Sequence, residues 1–232
     1  MTDLKSKTVL VTGASRGIGA AIARAIGAAG GEVIIHYAHN RDAAEAVRGD
    51  IGGGRCHIVQ ADLSLPDEVE RLWSEALAVA PGLNVLINNA GITGEAPIDA
   101  PLEQWRAVWS RVMQVNLLAP AELCRAAINH FRDNGGGRII NVASRAAHRG
   151  ETPIEMPYGA SKGALVALTK TIARGFAADG VLRLLHCAGV HQYRDGVGLP
   201  GRGSDRPGDE RDSPGRDGAS TRDRRPGGVS LR

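Results

Sequence analysis

Apolar residues gather in five short runs at 8–12, 32–37, 56–61, 84–88 and 138–143. Runs of that length, rich in Val and Ile, fit strands buried on both faces of a parallel sheet, which need not alternate apolar with polar. Between them lie longer segments with apolar residues at helical spacing: 18–29, 41–48, 66–79, 101–130 and 156–178. Strand alternates with helix along the chain. That order predicts an α/β fold, a doubly wound parallel sheet with right-handed crossovers and a ligand crevice at the carboxyl ends of the strands.

Composition narrows the class. The 232 residues suit one domain with a sizeable core. The first strand begins at once, so no signal peptide is expected, and no run approaches the roughly 18 apolar residues of a membrane span. Cys56, Cys124 and Cys187 are scattered without ligand spacing. They predict free thiols in a reducing cytoplasm and no metal. The net charge of +3 hides an arginine-rich end mixed with aspartate, and aromatic residues for base stacking are scarce. Nucleic-acid binding is therefore not expected.

Thr12-Gly13-Ala14-Ser15-Arg16-Gly17-Ile18-Gly19 joins the first strand to the first helix. Strand, glycine turn and helix together make a cradle for a pyrophosphate, because backbone N–H groups and the positive end of the helix dipole face the phosphates. The spacing G-x-x-x-G-x-G differs from the commoner G-x-G-x-x-G fingerprint.

Tyr158-Gly-Ala-Ser-Lys162 puts a phenol and an ammonium on one face of a helix. A phenol is a poor acid–base group at neutral pH. An adjacent ammonium favours the phenolate, and such a pair can pass a proton to or from a substrate oxygen.

Through these two motifs residues 5–182 resemble the short-chain dehydrogenases/reductases, whose fold is Rossmann-like. Further segments carry the resemblance: Asp62-Leu63-Ser64 after the third run, Asn88-Asn89-Ala90-Gly91 after the fourth, Asn116 within Gln114-Val-Asn-Leu117, and Ser144 after the fifth. Each alone has a plainer use, Asp62 as a turn aspartate and Asn116 as a buried amide satisfying backbone. The chain is most similar to 3-oxoacyl-[acyl-carrier-protein] reductases and to sugar and polyol dehydrogenases of that family.

The resemblance implies hydride transfer between NAD(P)H and a carbonyl or alcohol. It implies that Tyr158 exchanges the proton, Ser144 steadies the oxygen, Lys162 assists Tyr158 and holds the nicotinamide ribose, and Asn116 positions a water. It places the dinucleotide on Gly13, Ser15, Arg16, Gly17, Ile18, Gly19, Arg41, Asp62, Leu63, Asn89, Ala90 and Gly91, beside Tyr158 and Lys162. For an intact member it also implies a homo-oligomer.

The end of the second run, Glu32-Val-Ile-Ile-His36-Tyr-Ala-His39-Asn40-Arg41, has no acidic residue placed for a ribose 2′-hydroxyl. His36, His39, Asn40 and Arg41, with Arg16, offer positive charge to a 2′-phosphate, which favours NADP(H) over NAD(H). The plainer reading makes His39–Arg41 a solvated loop opening the next helix. Substrate choice is expected from 93–100 and 145–157, where Arg145, His148, Arg149 and Glu151 could meet a polar substrate.

Beyond Leu182 the pattern fails. The family expects a strand ending in Pro-Gly, a threonine, a lid, a helix and a last strand. Here Arg, Gly, Asp and Pro dominate from Arg194 onward, a composition that predicts disorder. Back-translated and read one base later, His186–Gly196 permits Ile-Ala-Pro-Gly-Phe-Ile-Asn-Thr-Glu-Met, which looks like the missing segment. Arg222–Leu231 permits an apolar helix-like run. These readings place a frame change near Leu182 or Arg183. They divide the chain into a catalytic domain, 1–185, and an aberrant tail, 186–232, with the last helix and strand missing and the oligomer in doubt. Two functions compete, an NADPH-dependent reductase and a truncated remnant that at best binds dinucleotide.

Overall fold

The computed structural model describes residues 3–188, with backbone alone from Leu182 onward. Six strands, β1 (Thr8–Val11), β2 (Glu32–Tyr37), β3 (Cys56–Gln60), β4 (Val85–Asn88), β5 (Gly137–Ser144) and β6 (Val181–Ala188), form one sheet in the order β3-β2-β1-β4-β5-β6. Every pairing is parallel. The helices are α1 (Gly17–Ala28), α2 (Arg41–Ile51), α3 (Pro66–Val79), α4 (Leu102–Met113), α5 (Ala119–Asp133), α6 (Ala146–Arg149) and α7 (Met156–Gly175).

The alternating side chains of each strand supply two cores. Leu10, Ile34, Leu86 and Ile139 face Leu72 and Trp73 of α3, Leu123 and Phe131 of α5, and Ile172 of α7. Val9, Val11, Val33, Ile35, Val85 and Ile87 face Ala20, Ala23 and Ile26 of α1 and Ala44 and Val47 of α2. Full burial of an aliphatic or phenyl side chain contributes about 1.5–3 kcal/mol, so both faces hold the sheet. This is the doubly wound arrangement the apolar runs predict.

Helix starts follow local chemistry. Asn40 accepts the Ala43 N–H at 2.9 Å and caps α2. Pro66 opens α3, where its missing N–H costs nothing. β1 has β2 on one side and β4 on the other, so the chain leaves their carboxyl ends in opposite directions and a crevice opens between them.

One expected helix, 101–130, is not continuous. Gln114–Leu118 is π-helical and separates α4 from α5. Pro120 has no N–H for the Asn116 carbonyl that an α-helix would pair with it. The ladder widens, and the Ala119 N–H reaches back five residues to the Gln114 oxygen. α6 and a 3₁₀ turn at Pro153–Glu155 are also absent from the sequence pattern, being too short to show a period.

β6 pairs with β5 from Gly137↔Val181 to Ser144↔Ala188, running through the inferred frame change and across residue 185. The Arg/Gly/Asp/Pro-rich tail beyond Ala188, and the last helix and strand expected to be missing, lie outside the described residues.

Candidate active site

The crevice is built by mutual hydrogen bonding of the β1 and β4 ends. Thr12 Oγ1 accepts from the N–H groups of Asn89 and Ala90, each at 3.0 Å. Asn89 Nδ2 donates to the carbonyls of Thr12 (2.9 Å) and Gly13 (3.1 Å). A Cβ at Gly19 would lie 2.4 Å from the Gly13 oxygen and 2.5 Å from Asn89 Nδ2, so no other residue fits there. Gly13 and Gly17 have φ of 63° and 56°, where a side chain is strained. A cleft of about 480 Å³ results, lined by Gly13, Arg16, Gly17, Ile18, Gly19 and Asn89-Ala90-Gly91 among others. Ser15 is half-buried in the turn, while Arg16, Gly17 and Ile18 are exposed. Arg16 precedes α1 without capping it, so the first-turn N–H groups remain available to an anion.

The second and third strands bring the other predicted residues to the same edge of the sheet. Asp62 Oδ1 accepts the Ser64 N–H at 2.9 Å. The backbone and hydroxyl of Ser64 hold the Asp62 carboxyl below the usual carboxylate range. Leu63 turns its side chain into the core, leaving only its backbone to a ligand. His39 and Arg41 are exposed, and Arg41 lies 3.6 Å from Glu45 one turn along α2.

His36 departs from its expected place among the cations near the ribose. Its ring is buried, accepts the Gly13 N–H on Nδ1 at 3.0 Å and lies 3.0 Å from the Ala61 oxygen through Nε2. Burial pushes its pKa down to about 4, so it is neutral and offers no charge to a phosphate. Asn40 is likewise occupied as the α2 cap.

The four residues expected to do chemistry come from three elements. Lys162 is buried on α7 and donates to the Val142 oxygen of β5 at 3.0 Å, with its Nζ 5.9 Å from the Tyr158 ring centroid. Burial lowers its pKa to about 8. Tyr158 is half-buried, one turn earlier on the same helix. Ser144 closes β5, buried, with its Oγ accepting the Ala146 N–H at 3.2 Å. Asn116 is wholly buried in the π-helical turn. Its Oδ1 accepts the Ile92 N–H at 2.8 Å, and its Nδ2 donates to the Ile92 oxygen (2.9 Å) and to Ser161 Oγ (3.0 Å). Ser161 Oγ in turn donates to the Tyr158 carbonyl at 2.8 Å.

Gly91 joins cleft to catalytic candidates. A Cβ there would lie 3.3 Å from both Asn116 Oδ1 and Lys162 Nζ. Beneath them, Asn88 Nδ2 donates to Asn141 Oδ1 (2.9 Å) and Asn141 Nδ2 to Thr169 Oγ1 (2.8 Å), tying β4, β5 and α7 together. At the rim, the Ala96 N–H donates to the Ile154 oxygen at 2.7 Å, so the two expected specificity segments meet. Arg149 and Glu151 pair at 3.2 Å. Sequence gives Thr12 only as the start of the glycine motif and gives Ser161 and Asn141 no role, because each works through hydrogen bonds that only the packed elements create.

A family profile described as short chain dehydrogenase matches residues 7–192. The chain belongs to the short-chain dehydrogenases. Members are NAD(P)-dependent oxidoreductases acting on small carbonyl and alcohol compounds, and they bind a nicotinamide dinucleotide. This short-chain dehydrogenase is 40% identical over 185 residues to a 3-oxoacyl-[acyl-carrier-protein] reductase of Synechocystis, covering 78% of the chain and 72% of that relative. It is 41% identical over 184 residues to 3beta-hydroxysteroid dehydrogenase 1 of Eggerthella lenta, covering 77% and 68%. Its structure is similar to that of angucycline C-6 ketoreductase LanV with bound NADP, at TM-score 0.70 and 38% identity over 79% of this chain and 72% of that one. A metagenomic short-chain oxidoreductase in complex with NADP gives TM-score 0.70 at 34% identity, over 78% and 81%. No helix among the described residues of this short-chain dehydrogenase is long and apolar enough to cross a membrane.

Proposed function

We propose that the chain is an NADPH-dependent reductase of ketones or aldehydes, working in reverse on the alcohols. Gly91 carries this reading: it lines the cleft and lies against the buried Lys162 amine, with the Tyr158 ring close by. A nucleotide lying in the cleft therefore meets the proton-transfer pair.

The residues fit a dinucleotide. Gly17 leaves open space on the turn for a pyrophosphate, Gly13 and Gly19 let the turn pack against Ala90 and Asn89, and the start of α1 has no side-chain cap on its N–H groups. The Asp62-Leu63 turn is placed for the adenine, and Arg16, His39 and Arg41 for a 2′-phosphate. No acidic side chain closes β2, whose last residue, Tyr37, is buried. The bound NADP in two similar structures supports the same preference.

Bound there, the nicotinamide supplies the hydride. The Tyr158 hydroxyl gives its proton to the substrate oxygen. The Ser144 oxygen already accepts from Ala146, which leaves its O–H to donate to that same oxygen. Lys162 gives one donor to Val142, which leaves two that would hold the nicotinamide ribose hydroxyls and favour the Tyr158 phenolate. The Asn116 carbonyl, which Pro120 cannot pair, holds the water through which the proton is replaced.

The frame change near Leu182 or Arg183 is part of the proposal and rests on the shifted-codon reading of the residues from His186 onward; the family match itself runs on to residue 192. The frame-restored protein is then a cytoplasmic homo-oligomer; the buried free thiols of Cys56 and Cys124 accord with a reducing compartment. NADPH oxidation in the presence of ketone substrates tests the reading, and Tyr158→Phe should abolish it. Full activity in that variant would refute the assignment.

A further inference from the structure

His36 is the next-to-last residue of β2, and both nitrogens of its ring are engaged by backbone. A backbone N–H can only donate, so Nδ1, which faces the Gly13 N–H at 3.0 Å, carries no hydrogen. A carbonyl can only accept, so Nε2, 3.0 Å from the Ala61 oxygen, carries it. One neutral tautomer satisfies both contacts, and protonation would set N–H against N–H at Gly13. The ring is 2% exposed, and its pKa of about 4 keeps it in that form at neutral pH.

The two partners belong to different parts of the nucleotide site. Gly13 opens the glycine turn after β1, and Ala61 precedes Asp62 after β3, two strands away. The β3 side is braced independently. The Asp62 N–H donates to Glu68 Oε2 (3.1 Å), while Arg71 Nη2 donates to that same oxygen (2.6 Å) and to the Gln60 carbonyl (3.0 Å). The glycine turn is held on its β4 side by Asn89, whose Nδ2 donates to the Thr12 and Gly13 carbonyls, and on its β2 side by His36, whose ring takes the Gly13 N–H and whose carbonyl takes the Ala14 N–H at 2.9 Å. The His36 ring ties this turn to the braced one across two strands.

We infer that His36 is a positioning residue for the dinucleotide, its neutral imidazole setting the distance between the glycine turn that faces the pyrophosphate and the Asp62 turn that faces the adenine. The inference rests on the reading of the cleft as a dinucleotide site. Its consequence is a division of labour: His36 governs how tightly the cofactor is held, and Tyr158 with Lys162 governs the proton.

Three variants of the full chain test it, with NADPH as the probe. His36→Leu removes both contacts. His36→Asn places an amide oxygen where Nδ1 stands and keeps the Gly13 bond. His36→Gln places an amide N–H near the position of Nε2 and keeps the Ala61 bond. Loss of a buried backbone partner should weaken NADPH binding in His36→Leu by roughly ten- to a hundredfold, read by equilibrium titration. The kcat at saturating cofactor should move less than about threefold. His36→Asn should recover most of the lost affinity, and exchange of the Gly13 amide hydrogen in the cofactor-free protein should quicken in His36→Leu and slow again in His36→Asn. Should His36→Leu fail to fold, His36→Asn and ¹⁵N NMR of the wild-type imidazole decide. The inference requires near-native NADPH affinity in that variant and a protonated Nε2 with bare Nδ1 in that ring. Unchanged NADPH affinity in a folded His36→Leu, or the opposite tautomer in the wild type, would overturn the inference alone. A wild type that binds no dinucleotide would overturn the functional reading and this inference with it.

Discussion

Asn116 donates from Nδ2 to Ser161 Oγ across 3.0 Å, and Ser161 passes the contact on to the Tyr158 carbonyl. The π-helical turn between α4 and α5 thus holds the first turn of α7, where the proposed proton donor sits. Removing Asn116 also strips the Ile92 N–H and carbonyl of their side-chain partner. Ile92 is half-buried, so each orphaned group costs up to about 1–3 kcal/mol, the figure for full burial. Asn116→Ala should therefore destabilise the protein more than Ser161→Ala does. The double variant should fall short of the sum, because both lose one shared bond. Urea unfolding of the four proteins measures this, and strict additivity would show that the two residues act independently.

In the proposed reading, the exposed Arg16 before α1 and the exposed Arg41 at the start of α2 meet the 2′-phosphate. Each charge-assisted contact is worth about 1.5–3 kcal/mol. Arg16→Ala with Arg41→Ala should weaken NADPH at least about tenfold while leaving NADH nearly unchanged. Equal losses for both cofactors would place the 2′-phosphate elsewhere.

Acid should act on the fold through His36. In the unfolded chain this imidazole gains its proton near its ordinary value of 6.5; in the folded chain burial delays that to about 4. Asp62 is the charge that acts on it, and it opposes the shift only in part. The unfolded state binds more protons between those values, so stability is full above about pH 6.5 and declines as pH falls toward 4, by about 3 kcal/mol. Unfolding measured from pH 7 to pH 4.5 should show a shallower decline in His36→Asn than in the wild type. Parallel curves would contradict a buried neutral ring.

Much of this organisation can be read from residue order. The apolar runs Thr8–Val11 and Glu32–Tyr37 are strands because both faces are covered, a condition that leaves its trace as unbroken hydrophobicity. Gly13 and Gly19 declare a close backbone approach, and Gly17 a left-handed turn. Other features depend on what a side chain faces. His36 reads as a cation by residue type, and only the packing of Gly13 and Ala61 against its two nitrogens makes it a neutral brace. The π-helical turn left one sign, Pro120 inside an otherwise unbroken helical pattern, and the carbonyl it frees belongs to Asn116.

Restoring the reading frame upstream of His186 should raise both solubility and specific activity relative to the chain as it stands. Sequencing the gene across the codons for Gly180–Cys187, and side-by-side expression of both forms with NADPH oxidation recorded, measure this. Equal yield and equal activity would mean that no frame change separates the two.

The central claim is that Tyr158 donates the proton in an NADPH-linked carbonyl reduction, with Lys162 behind it and Gly91 bringing the cleft to both. NADPH oxidation by wild type and Tyr158→Phe on the same ketone substrate, with dinucleotide affinity titrated in the same samples, tests it most directly. The account predicts that the phenylalanine variant loses nearly all turnover and binds NADPH about as tightly as the wild type. Full turnover in Tyr158→Phe would contradict it.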